Sequence, residues 1–133
     1  MKMRNQNNTI VDEKMIEGVE EALKNGDFSK AYEEIQKRRI SITQNQARKL
    51  LELTRGIKTE SNKKTMTNKI IRILMYLEYQ NKRGQIREAY ELYKKVFEKA
   101  YELCKQNGAD NLGENLYRLI EILTIHLYER RKK

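Results

Sequence analysis

Proline and tryptophan are absent from the chain, and histidine and cysteine each occur once, at His126 and Cys104. Without proline, no helix interior loses an amide hydrogen to a pyrrolidine ring. A lone cysteine excludes an internal disulfide and a CxxC pair. A lone histidine leaves too few convergent ligands for the usual zinc geometry and no second imidazole for a proton relay. The glycines are dispersed, and none builds a phosphate-cradling loop. No apolar run approaches the roughly 18–20 residues of a membrane span. Residues 1–8 are polar and carry no apolar stretch followed by a cleavage site, so no signal peptide is expected. The expectation from these absences is a cytoplasmic protein with no catalytic residue, metal or cofactor and no membrane partner. His126 reads as a surface or half-buried residue with Glu129 one turn on, and Cys104 as a small core residue.

What is present is helix-forming sequence. The chain has 133 residues, the size of one domain, and its 38% hydrophobic content includes enough Leu and Ile to build a core despite 35% charge. No alternating strand pattern of useful length occurs. Val11, Met15, Val19 and Leu23 predict a first helix over about 11–25. A short second helix, about 29–38, would turn Phe28, Ala31, Tyr32 and Ile35 inward. Thr43 and Gln46 have the spacing of a capping box opening a third helix, in which a threonine oxygen and a glutamine side chain satisfy each other's orphan amides. Ala47, Leu50, Leu51 and Thr54 give its inner face. Residues 58–65 are polar and read as a flexible loop.

The fourth helix, about 66–83, carries the stripe Met66, Ile70, Ile73, Leu74 and Leu77, with Ile71 and Met75 outside it. The fifth, about 85–107, places Ile86, Ala89, Tyr90, Tyr93, Phe97, Ala100 and Cys104 inward. The sixth, about 112–130, has Leu116, Leu119, Ile120, Leu123 and Leu127 on one face, and Ile122 and Ile125 on another. A helix apolar over so wide an arc is central or meets a partner. Gly26, Gly56, Gly84 and Gly108 fall at helix ends, where left-handed caps are wanted. Gly18 lies inside a helix. The expected fold is all-α, a compact bundle of five to six helices, with residues 1–9 a disordered tail and 10–133 one domain.

Charge is unevenly placed. Net charge is +9, yet residues 37–87 hold fourteen Lys/Arg against three Asp/Glu, a net of +11. Concentrated positive charge of this kind attracts polyanions. At about 100° per residue, Lys69, Arg72, Tyr76, Tyr79 and Arg83 share one side of the fourth helix, opposite its apolar stripe. Arginine forks grip phosphate oxygens and tyrosine rings stack on unpaired bases, so the pairing suits single-stranded nucleic acid. Arg48 and Arg55, two turns apart, share a side of the third helix. The runs Lys37-Arg38-Arg39 and Arg130-Arg131-Lys132-Lys133 lie where helix dipoles favour cations in any case.

The stretch Ile42-Thr43-Gln44-Asn45-Gln46-Ala47-Arg48-Lys49-Leu50 resembles the small-subunit family of type III-A CRISPR effector complexes, which carries a hydrophobic residue, threonine, a variable pair and Gln-x-Arg-Lys. Leu77-Glu78-Tyr79-Gln80-Asn81-Lys82-Arg83 is similar to a second block, Leu-x-Tyr followed by a basic end. Helix order, polar loop and size agree over roughly residues 10–128. At the C-terminus the order differs: Glu121 is followed by Ile122, and His126 precedes Leu127 and Tyr128. The resemblance implies a non-catalytic helical subunit, present in several copies, that contacts target RNA through its backbone where it pairs with the guide. By motif it transfers that role to Arg48, Lys49 and Arg83, whereas Lys69 and Arg72 rest on the helix-face count and Arg55 on its shared side with Arg48. The expected partners are single-stranded or guide-paired RNA, other CRISPR effector subunits and a second copy in a homodimer. Two other readings stay open: a helix-turn-helix-like DNA-binding regulator, and a structural adaptor that binds no nucleic acid.

Overall fold

The computed structural model describes residues 11–84, 86 and 88–132, with side chains as far as residue 127. The expected tail at 1–9 lies outside the described residues. Among those described are six α-helices and no strand: α1 (Glu13–Asn25), α2 (Ser29–Gln36), α3 (Gln44–Arg55), α4 (Lys63–Lys82), α5 (Ala89–Asn107) and α6 (Leu112–Lys132). The all-α bundle expected from periodicity is the observed fold.

Helix α6 is the hub. It packs against α1, α2, α3 and α5, which explains the width of its apolar arc. Leu116, Leu119, Ile120, Leu123 and Leu127 are all buried there. Each such side chain contributes about 1.5–3 kcal/mol when taken out of water. Helix α5 lies beside α6, α1 and α4, burying Tyr93, Phe97, Ala100 and Cys104. Deep in this layer the Tyr93 hydroxyl meets Thr124 Oγ1 at 3.3 Å.

Two glycines let backbones touch. A Cβ on Gly18 would stand 2.8 Å from the Ala31 nitrogen, so α1 and α2 cross without room for a side chain. A Cβ on Gly113 would collide with the Ile57 carbonyl oxygen and lie 2.8 Å from that of Lys58. This seats the α3–α4 connection on the first turn of α6, with Ile57 buried beneath it.

Some expectations need correction. Tyr32, expected inward, is 52% exposed, because Ala31, Glu34 and Ile35 fill the narrow contact made by an eight-residue helix. That helix ends at Gln36, two residues early. Helix α4 begins at Lys63, inside the expected loop, because Asn62 caps it: Asn62 Oδ1 accepts from the Thr65 amide at 2.9 Å. Gly26 is the left-handed cap expected of it, whereas Gly56 has a right-handed φ of −65°, Gly108 pairs its φ of 88° with an extended ψ of −172°, and Gly84, with φ 74°, follows the Arg83 cap. Helix α5 is first described at Ala89 rather than 85; residues 85 and 87 are outside the described set. The connection between α2 and α3 spans residues 37–43, longer than the three- to four-residue turn of a helix-turn-helix.

Candidate nucleic-acid interface

The Thr43 cap forms as expected, with Oγ1 accepting from the Gln46 amide at 3.2 Å. The reciprocal half of the capping box is replaced by tertiary bonds. Gln46 Oε1 accepts from the Tyr76 hydroxyl at 2.6 Å, and Gln46 Nε2 lies 3.5 Å from Gln80 Oε1. At the other end of α3, Lys69 Nζ reaches the Gly56 carbonyl at 3.4 Å. Helices α3 and α4 therefore run antiparallel, bridged by long side chains. They meet along a line, the α3–α4 crevice, marked by the side chains of Gln46, Tyr76 and Gln80.

The basic residues expected at the site fall into three situations. Lys69 is engaged: its ammonium sits 3.0 Å from Glu60 Oε1, and this bond holds the Glu60 carboxyl below its ordinary range. Lys49 lies 60° around α3 from Gln46. Arg72 lies 40°, and Arg83 20°, around α4 from Tyr76, at about 100° per residue. All three are exposed along the crevice, and none has a carboxylate partner among the described residues. The Arg83 guanidinium lies 5.6 Å from the Tyr79 ring centre, and that tyrosine is 59% exposed. Tyr76 is half-buried; burial raises its hydroxyl pKa, and its bond to Gln46 withdraws it from the open face.

Arg48 and Arg55 do not join this group. Nine residues separate Gln46 from Arg55, half a turn beyond two full turns, so Arg55 points to the opposite flank of α3. There its Nη2 lies 3.5 Å from the Tyr117 hydroxyl of α6. Arg48, two turns earlier, lies on the same flank. The helix-face count had placed each arginine correctly on its own helix but could not say which flank faced α4.

Part of the dense basic sequence is neutralised by residues from the acidic N-terminal third. Arg38 pairs with Asp12 at 2.8 Å and Glu34 at 3.0 Å, and Lys37 with Glu34 at 3.1 Å. Glu34 is buried, which alone would raise its pKa; the bonds from Lys37 and Arg38 outweigh burial and hold it low. Among the described residues, Arg39 of the Lys37-Arg38-Arg39 run has no carboxylate partner. The outward side of α4 adds a partly exposed apolar ridge at i, i+4 and i+8: Ile71, Met75 (63% exposed) and Tyr79. Sequence reading flagged Ile71 and Met75 but not their alignment with Tyr79.

Cys104 is buried, its sulfur 3.5 Å from Thr67 Oγ1, in the core role expected of it. His126 is half-buried, and the Glu129 side chain lies outside those described. Among the described residues no helix is long and apolar enough to cross a membrane, and no three His, Cys, Asp or Glu side chains converge as a metal site. No family model, no curated protein and no solved structure matches the chain.

Proposed function

We propose that this chain is a non-catalytic RNA-binding subunit of a type III-A CRISPR effector assembly, holding the RNA backbone along the α3–α4 crevice. The observation that carries the RNA reading is the alignment of Lys49, Arg72 and Arg83, exposed and without carboxylate partners among the described residues, beside the open ring of Tyr79. A phosphate placed there meets cations that need not first release a carboxylate. The amides best suited to reading base edges, Gln46 and Gln80, are occupied with Tyr76 and with each other. Binding is therefore directed at phosphate and sugar, which position a strand without reading its sequence. In a guide-directed complex, base pairing supplies that reading.

Membership of the assembly rests on the resemblance of residues 42–50 and 77–83 to the small-subunit family. The non-catalytic part rests on a composition with one histidine and one buried cysteine. The Ile71–Met75–Tyr79 ridge supplies apolar area for contacts with neighbouring subunits or a second copy, since exposed patches of this kind mark interaction surfaces.

The test is fluorescence anisotropy of two unrelated single-stranded RNAs against wild type and Lys49→Ala/Arg72→Ala/Arg83→Ala at several salt concentrations. Each neutralised phosphate of a single strand contributes about −0.7 to the log–log salt slope, so the triple variant flattens it by about 2. Circular dichroism establishes that the variant is folded. An unchanged slope in a folded variant, or no binding of either RNA by wild type at low salt, refutes the crevice as an RNA site.

A further inference from the structure

The flank of α3 turned away from the crevice has its own charge arrangement. Tyr117 of α6 is only 6% exposed, yet three cations stand around its ring. The Arg55 and Arg118 guanidinium carbons are each 5.9 Å from the ring centre, and Lys58 Nζ is 4.9 Å away. Arg118 is neutralised, with Glu114 and Glu121 each at 3.4 Å. Arg55 and Lys58 have no carboxylate partner among the described residues, and neither does Arg48, two turns along the same side of α3. Like charges gathered around one ring repel one another. The ring's negative face offsets part of that repulsion, and an anion arriving from solvent offsets more.

We propose that Arg48, Arg55 and Lys58 form a second phosphate-backbone site on the α3–α6 flank, so that one chain holds two RNA segments, one on each side of α3. The inference rests on the RNA reading given above. Its independent ground is geometric. Gln46 and Arg55 project from opposite sides of α3, the first reaching α4 and the second α6. Helix α3 thus stands between the two basic tracks as a ridge about 10 Å across. Ile57, buried beneath the seat on Gly113, fixes where the chain leaves α3 and so places Lys58 beside Tyr117 rather than in the crevice. The two segments are either two separate single strands or the two strands of one duplex. The chemistry recognised is the same, the sugar–phosphate backbone.

The experiment counts RNA per chain by native mass spectrometry at low ionic strength, with hexauridylate as the probe. A second arm uses a short RNA duplex. The spectra also report the mass of the protein species, so RNAs shared between two copies are recognised. Wild type is expected to carry two hexamers per chain. Arg48→Ala/Arg55→Ala/Lys58→Ala is expected to carry one, as is Lys49→Ala/Arg72→Ala/Arg83→Ala. If the two tracks belong to one duplex, wild type instead takes one duplex per chain, more tightly than one hexamer, and either variant loses that preference. Arg55 touches Tyr117, so its loss could unsettle α6; Arg48→Glu, clear of that ring, is the second flank variant and is expected to reduce two hexamers to one. A wild type that saturates at one hexamer with no duplex preference overturns the second site while leaving the crevice intact. Two hexamers retained by both flank variants overturn it as well. No RNA bound by any form overturns both the second site and the RNA reading on which it rests.

Discussion

The Tyr76 hydroxyl donates a 2.6 Å hydrogen bond to Gln46 Oε1, joining α4 to α3 across 30 residues of chain. A residue spaced to complete a local cap has been recruited to hold two helices together. Tyr76→Phe is expected to lower stability by about 1 kcal/mol, the usual net value of such a bond. Urea denaturation reads this as a lower midpoint with an unchanged slope. Combined with Gln46→Ala, the loss is expected to be less than the sum of the single losses, because both remove one interaction.

The glycines give a graded series. Gly113→Ala drives a Cβ into a backbone carbonyl that cannot swing aside, and is expected to cost about 3 kcal/mol. Gly18→Ala meets the Ala31 backbone but gains helix propensity, leaving a loss of about 1–2 kcal/mol. Gly84→Ala has open space around it, and only its φ of 74° opposes the change, at about 1 kcal/mol. Midpoints in that order support the seat on α6; a harmless Gly113→Ala refutes it.

Stability is expected to fall at both pH extremes for named reasons. The folded-state pKa of Glu34 is depressed below 4.5, so its contribution is full above that value and is lost as pH falls through the folded pKa. Glu34→Gln should flatten the acid limb of a stability–pH curve. Burial pushes the Tyr93 hydroxyl up to about 12, against an ordinary 10.0. Its contribution is full below pH 10 and is lost as pH climbs toward 12, so Tyr93→Phe should flatten the alkaline limb.

Lys69 and Arg72 differ by three residues and by one ion pair. Glu60→Gln/Lys69→Gln removes a cation that is already paired, and is expected to leave the RNA salt slope unchanged. Arg72→Ala removes an open cation and should flatten the slope by about 0.7. Anisotropy titrations of the two variants, run alongside wild type, decide between them. Equal slopes for both would mean that Lys69 leaves Glu60 when RNA binds.

The helices were legible because burial imposes a period on sequence: Met15, Val19 and Leu23, or Ile70, Ile73 and Leu77, can share a core only on a helix. The start of α4 was hidden because Asn62 caps it within a run of polar residues that also looks like a loop. Helix-face counting put Arg72 and Arg83 on one side of α4, since angle alone places them, and both are exposed there. It could not find the Lys69–Glu60 bond or the outward flank of Arg48 and Arg55, which depend on how helices dock. Gly113 carried no signal, since a glycine in a helix's first turn has the same local pattern whether or not a carbonyl rests on it.

The segment 57–62 has the composition of a site where trypsin would nick a folded protein, with Lys58 at its start and Lys63 and Lys64 just after it. Its backbone is pinned at each end, by Ile57 against Gly113 and by the Asn62 cap on α4, while Glu60 is tied to Lys69. A protease needs several residues drawn out in extended form, and here they come free only if Ile57 first leaves the core. Cleavage between α3 and α4 is therefore slaved to opening of the bundle, and its rate serves as a clock for that opening.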